Sequence, residues 1–289
     1  MSLNNLLDQV KKLREVTGVG FKDCKNAIDE TGGDIEKSIE LLRKKGIAKA
    51  NKRMERIAAE GLVCIYEKEG SFSMVEINSE TDFVAKNEEF IKFSEELSEI
   101  SFLNLGQMDK VLNYPMKDKK IVKENLIDLT SKIGEKITIR RNIFFSGKKL
   151  LNFSYIHTPL KKNIGKLGVL LSLDVDSAEK SILELGKQLS MHIAASSPIS
   201  IDKDDLDQNI LIKEKEIINE ELKASGKDSK IVEKIAIGKI NKYIDENTLL
   251  NQNWIMEPSK KVKDVIKEVG GKSKININQF ARFKVGEGL

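Results

Sequence analysis

From residue 58 onward the hydrophobic spacing of this chain runs twice through one order: strand, strand, helix, helix, strand. Few folds accommodate that. In the first pass, residues 61–67 and 71–79 are rich in β-branched and aromatic side chains, and Lys68-Glu69-Gly70 between them reads as a hairpin turn. A helix follows over about 87–103, where Phe90, Phe93, Leu97 and Ile100 share one face. A second, over about 118–133, carries Ile121, Leu126, Leu129 and Ile133 and stops at Gly134; KITIRRNIFF (136–145) then alternates as a strand. In the second pass, 151–156 and 168–175 read as strands joined by a looser loop (158–166), followed by a helix over 178–195. A helix over 260–268, a stop at Gly270-Gly271 and an alternating strand over 274–283 complete it, and IGEKITIRRN and GGKSKININQ are locally similar. This order predicts an α+β fold with a duplicated core, each half a small antiparallel sheet covered by helices.

The second pass is interrupted. Residues 205–225 carry Leu206, Ile210, Ile217, Ile218 and Leu222 at helical spacing, and 228–243 carry Ile231, Ile235, Ile240 and Tyr243, with Ser225-Gly226-Lys227 between them. The pattern predicts an antiparallel helical hairpin inserted over about 205–247, whose residual apolar surface suits another subunit or protein.

Ahead of the core, Leu6, Leu7, Val10 and Leu13 mark a first helix, broken by Thr17-Gly18-Val19-Gly20. A second helix spans 21–30 and ends at Thr31-Gly32-Gly33; Asp34 is a good N-cap for a third over 35–45, with Lys37 where a capping box would need Glu or Gln. Three short helices bury little by themselves and read as a docking module. The stretch after them is basic through Lys49, Lys52, Arg53 and Arg56. It has no interleaved aromatic residues and reads as a linker. The expected organisation is therefore a three-helix bundle (1–46), a basic linker (47–57), one half of the core (58–148), and the other half with its hairpin (149–289).

The chemistry that is missing narrows the function. A net charge of +4 on 289 residues, 33% of them charged, is no polyanion-binding signature. Two cysteines, Cys24 and Cys64, make no disulfide framework and no close metal pair, and the two histidines, His157 and His192, make no metal cluster. GxxxxGK[ST], HExxH, CxxC and GxSxG are all absent. MSLNNLLDQV lacks the basic and apolar regions of a signal peptide, and no apolar run reaches membrane length. The expectation is a cytoplasmic protein that acts by binding, with no catalytic residue, no metal, no cofactor, no nucleic acid and no membrane.

The stretch SETDFVAKNEEF (79–90) lies between the second strand and the first core helix, with Thr81 and Asn87 as candidate N-caps. A phenylalanine beside an aspartate at such a corner is either tucked into the core or offered to something else, and the commoner outcome is the core. His192, alone in an apolar helix, reads as structural or partner-facing.

LREVTGVGFKDCKNAIDETGGDIEKSIELLRKKG (13–46) resembles the N-terminal module of bacterial elongation factor Ts. SETDFVAKNEEF, IGEKITIRRN (133–142), MHIAAS (191–196) and FKVGEG (283–288) resemble other motifs of that family, in its order and over essentially the whole chain. The resemblance implies a ubiquitin-associated-like three-helix bundle, the duplicated core and the hairpin. It also implies guanine-nucleotide exchange on the translational GTPase elongation factor Tu, in its GDP-bound and nucleotide-free states. In the family a Thr-Asp-Phe-Val tip wedges in beside the nucleotide's magnesium site; here that tip is Thr81, Asp82, Phe83 and Val84. The docking turn of the first module becomes Val19, Gly20, Phe21 and Lys22, with Arg14 and Lys25 nearby. His192 matches a histidine that the family sets against the partner, and the hairpin corresponds to a region through which some members dimerise. Many members continue past FKVGEG into a helical module that grips the GTPase, so a looser grip is expected of a chain whose Leu289 directly follows that motif. The competing readings are a binding scaffold without exchange activity and an RNA-binding protein using the basic stretch 43–56.

Overall fold

The computed structural model describes residues 3–17, 19–53, 56–223 and 229–289; Gly18, residues 54–55 and the Ser225-Gly226-Lys227 turn lie outside these. Three helices come first: α1 (Leu3–Thr17), α2 (Phe21–Glu30) and α3 (Ile35–Arg53). They close on Val10, Leu13, Cys24, Ala27, Ile28 and Leu42. Asp34 caps α3 by accepting the Lys37 amide at 3.0 Å. The third helix does not stop at residue 45 but runs through Gly46. A side chain at Gly46 would come within 2.7 Å of Ser131 Oγ, so this glycine is a point of close approach to the core and not a terminator.

The core elements follow in chain order as β1 (Glu60–Lys68), β2 (Ser71–Ser79), α4 (Asp82–Ala85), α5 (Glu88–Leu103), α6 (Met108–Leu112), α7 (Val122–Ile133) and β3 (Thr138–Phe145). The second half comprises β4 (Leu151–His157), β5 (Ile164–Gly165), β6 (Leu167–Val175), α8 (Lys180–Ser196), α9 (Gln208–Lys223), α10 (Ser229–Asn247), α11 (Val262–Gly270) and β7 (Ile275–Lys284). The sheets have orders β3-β2-β1-β5 and β4-β6-β7, antiparallel throughout, so the second long strand of each half is central. Glu69 and Gly70, both at positive φ (51° and 72°), turn β1 into β2 with the hand that hairpins favour.

The two halves match in detail. The ladder slips at the sixth residue of each central strand, between Glu76 and Ile77 and between Ser172 and Leu173. The residues left over on the third strands are Arg140 and Asn278. Four positions beyond each slip a carboxylate accepts the amide that leads into the third strand: Glu80 from Lys136 (2.6 Å) and Asp176 from Lys274 (3.2 Å).

Strand alternation decides the layering. On β1 and β2, Leu62, Cys64, Val75 and Ile77 face α5 and α7 with Phe90, Leu97 and Leu129. Val63, Ile65, Phe72 and Met74 face the other way and meet Leu170, Ala281 and Phe283 of the second sheet. Val169, Leu171 and Leu173 take the far side of that sheet, under α8 and α11. The result is helices, sheet, sheet, helices. Gly168 permits the sheets to close, since a side chain there would meet Val63 Cγ1 at 2.7 Å and Met74 at 2.9 Å.

A buried carboxylate joins the halves. Glu76, fully buried, accepts from Arg140 Nη1 (3.0 Å), the Gly286 amide (3.0 Å) and Asn78 Nδ2 (3.2 Å) on one oxygen and from Arg141 Nε (2.6 Å) on the other. Burial pushes its pKa up, but the Gly286 amide and the two guanidinium groups outweigh that and hold it below the usual range. Gly286 (φ +74°) turns so close to Ala59 O that any Cβ would lie 2.2 Å from it. The FKVGEG stretch is thus a latch onto the first half, with Arg141 over the Phe283 ring at 4.3 Å.

Three expectations shift. The helix expected over 118–133 begins at Val122, because Ile121 bridges back to Pro115. The short α4 and α6 and the two-residue β5 carry too few residues for a periodic pattern. In the hairpin, Leu211, Ile218 and Leu222 are buried, whereas Ile210, Ile212, Ile217 and Ile237 are exposed.

Candidate partner-binding site

The corner between β2 and α5 is built from both sides. Asn87 Oδ1 caps α5 by accepting from the Glu89 (2.9 Å) and Phe90 (3.2 Å) amides. Thr81 starts α4 but its hydroxyl makes no cap; it donates to Glu135 Oε1 (2.8 Å) while the Thr81 amide donates to Glu135 Oε2 (3.0 Å). Glu80 takes the Lys136 amide and Arg56 Nη1 (3.3 Å). Val84 and Ala85 sink into the core against Leu62 and Phe90. Of the four residues expected at the tip, Thr81 and Val84 therefore face inward as supports.

Asp82 and Phe83 face out. Phe83 is 78% exposed, so the core reading of this phenylalanine fails. The reason lies in α4: its one turn sends Val84 and Ala85 inward, and their neighbour Phe83 cannot follow. Among the eleven phenylalanines only Phe83 and Phe21 are exposed. Lys86 Nζ lies 2.9 Å from Asp82 Oδ2, and that hydrogen bond holds the half-buried Asp82 carboxyl below its usual range. The ring tip thus stands beside a carboxylate that is ionised at neutral pH. Next to it opens a cleft of about 760 Å³ between the halves, floored by Leu62, Ala85 and Ala194 and edged by Leu160, Lys86 and Lys166.

On the bundle, Arg14, Gly20, Phe21, Lys22 and Lys25 are exposed around the α1–α2 turn. Val19 is half-buried against the bundle core and borders, with Val16 and Thr17, a second cleft of about 610 Å³ facing α5 and α7. Val16 is exposed beside this turn, an apolar residue that its helical spacing did not single out.

His192, which reads as structural or partner-facing in the sequence, lies inside the fold. It is fully buried on α8, stacked on Trp254 at 5.2 Å. Nδ1 accepts the Ile255 amide (3.3 Å), which leaves Nε2–H to donate to Gln252 Oε1 (2.9 Å). Gln252 in turn donates to Ser196 O (3.1 Å) and Glu246 O (2.7 Å). The ring ties α8 to the loop after the hairpin and is covered within the chain itself. Burial depresses its pKa, partly offset by the Gln252 hydrogen bond. The unfolded chain takes a proton near pH 6.5 that the folded ring resists, so the stability this site contributes is present above that pH and drains away as pH falls towards the folded value. Melting temperatures measured between about pH 7.5 and 5.5 are expected to fall more steeply for the wild type than for His192→Gln.

Sequence patterns missed Glu135 and Glu80. Their acidity and their place in IGEK and SETDF were visible, but their partners stand 54 and 56 residues away. Among the described residues no three His, Cys, Asp or Glu side chains stand together as a metal site would require. None of the helices among them is long and apolar enough to cross a membrane.

Compared with known proteins, residues 80–287 match the family model described as elongation factor TS. Elongation factor Ts of Clostridium botulinum (strain Alaska E43 / Type E3) is 42% identical over 287 residues, covering 97% of this chain and 92% of the relative. That of Rhodospirillum centenum is 38% identical over 283 residues with the same two shares.

Proposed function

The chain belongs to the elongation factor Ts family, and from that premise we propose that it binds elongation factor Tu and drives GDP release so that GTP can enter. The observation that carries this reading is Phe83, 78% exposed on a corner whose other residues are pinned. A free apolar ring at a fixed position suits insertion into another protein, because little ordering entropy is lost on binding.

No catalytic group is needed. GDP is held through its phosphates by backbone amides and by a magnesium ion that bridges them to the GTPase. A partner that prefers the nucleotide-free shape weakens nucleotide binding by the same factor by which nucleotide weakens its own binding. Each tenfold corresponds to about 1.4 kcal/mol, and an anchored aromatic supplies roughly 2 kcal/mol or more. On this reading Phe83 enters beside the metal site, Asp82 competes for the groups around the magnesium, and Thr81 and Val84 hold the corner. Residues 1–46 dock on the nucleotide domain through Gly20, Phe21 and Lys22, with Arg14 and Lys25 around them. The exposed isoleucines of the hairpin serve a second copy of the chain.

The test is direct. With elongation factor Tu carrying fluorescent GDP, adding catalytic amounts of the chain in the presence of excess unlabelled GDP is expected to raise the release rate about 100-fold or more, as differential binding of about 3 kcal/mol requires. Binding without faster release would leave the scaffold reading.

A further inference from the structure

We propose that Glu135 is a positioning residue for the Asp82–Phe83 tip, an inference that rests on the exchange reading above. Both carboxylate oxygens of Glu135 are spent on one residue, Thr81: the hydroxyl at 2.8 Å and the amide at 3.0 Å. Thr81 is the N-cap of α4, and Asp82 and Phe83 are that helix's first two residues. The N-terminal amides of a helix have no partner within it, so a one-turn helix at a corner depends on whatever holds its start. Here a carboxylate from the turn before β3 does so through two charge-assisted bonds, which are short and strong.

The second half of the core provides an internal control. Its central strand also ends in a carboxylate that accepts the amide leading into the third strand, Asp176 for Lys274 as Glu80 for Lys136. That clasp is common to both halves and so belongs to the fold. By the register of the two ladders, the residue equivalent to Glu135 is Ser273, and Ser273 is followed in the same way by Lys274 and Ile275 as Glu135 is by Lys136 and Ile137. At the place of Thr81-Asp82-Phe83 the second half has Ser177-Ala178-Glu179, outside any helix and without an aromatic residue. The carboxylate at this position therefore accompanies the tip and not the fold.

The experiment compares Glu135→Ala, Glu135→Gln, Phe83→Ala and the Glu135→Ala/Phe83→Ala double variant in the full chain. The readouts are amide hydrogen exchange at residues 80–84 and the saturating rate of fluorescent GDP release from elongation factor Tu. Glu135→Ala is expected to speed exchange of those amides about tenfold or more. It should slow the saturating GDP release rate about tenfold, since a tip displaced by even an ångström loses its action. Glu135→Gln retains one acceptor oxygen for the Thr81 amide and offers its own N–H to the Thr81 hydroxyl, so it should stay within about threefold of wild type. Because Glu135 acts through the ring, the double variant should be no slower than Phe83→Ala alone. Unchanged amide exchange in Glu135→Ala overturns the proposal. So does unchanged GDP release where Phe83→Ala is slow, or a double variant whose defects multiply. Should Glu135→Ala fail to fold, Thr81→Val, which removes the hydroxyl whose hydrogen bond Glu135 accepts, is expected to speed amide exchange at residues 80–84 and to slow GDP release, and no change in either overturns the proposal. If the wild type itself leaves GDP release unchanged, it is the exchange reading that falls, and the amide exchange still decides whether Glu135 holds the corner.

Discussion

Phe83→Ala is expected to slow the release of GDP from elongation factor Tu about 30-fold or more while leaving the chain's own melting temperature unchanged. The first figure follows from truncating an aromatic anchor at the centre of an interface, about 2 kcal/mol or more. The second follows from exposure: with 78% of Phe83 already in water, its removal takes almost nothing from the core. The contrast lies seven residues away. Phe90 is fully buried among Val84, Ala85 and Leu97, and truncating a ring of that kind costs about 3–5 kcal/mol. Stopped-flow release of labelled nucleotide and a thermal melt of the free variant together check both halves of the expectation. A variant that melts low would mean that the ring is a core residue after all.

Glu76→Ala is expected to have the opposite profile, a loss of about 3 kcal/mol of stability whatever the partner does. The carboxylate is fully buried and receives four hydrogen bonds, two of them from guanidinium groups. Removing one partner of such a set leaves the others desolvated and unpaired, which costs far more than the pair's net contribution. Arg140 and Arg141 keep a fifth to a third of their side-chain surface in water, which holds the loss near the lower end of the range for buried pairs. The pH dependence has a definite sign. Because the pKa of Glu76 is lowered in the fold, its stabilisation is complete above the unfolded carboxylate range and is lost as pH falls through the folded value. Urea melts of wild type and variant should therefore differ most near neutrality and converge in acid.

What the sequence made legible was whatever depends on period. Residues 61–67 and 71–79 read as paired strands under helices, which is how Leu62, Cys64, Val75 and Ile77 lie, whereas the packing of Val63, Ile65, Phe72 and Met74 on the second sheet joins residues about 100 or more positions apart and shows in no strand's period. The duplication was legible from period as well. Its finest marks were not: the bulges that leave Arg140 and Asn278 unpaired arise in pairing, which no single strand displays. The site was legible only through motifs. Spacing placed Phe83 at a corner, where the commoner outcome is burial, and only the inward turn of Val84 and Ala85 shows why it is the exception. For His192 the sequence left structural and partner-facing readings open, because its satisfying partner, Gln252, lies 60 residues on, across the whole inserted hairpin. Glu135 and Glu80 belong to the same class: acidic residues whose purpose resides in a backbone amide far along the chain.

The latch between Gly286 and Glu76 has a consequence for the order in which the molecule is made. The two residues are 210 positions apart, so the amide that Glu76 requires is synthesised long after the carboxylate that accepts it. At the pace of translation, about 5–20 residues per second, the carboxylate waits on the order of 10–40 seconds for it. During that interval Glu76 lacks one of its donors, and Val63, Ile65, Phe72 and Met74 lack the Ala281 and Phe283 that cover their face of the sheet in the finished fold. The first half is therefore finished by the end of the second, and a nascent chain halted short of residue 286 would leave that face open to quality-control proteases.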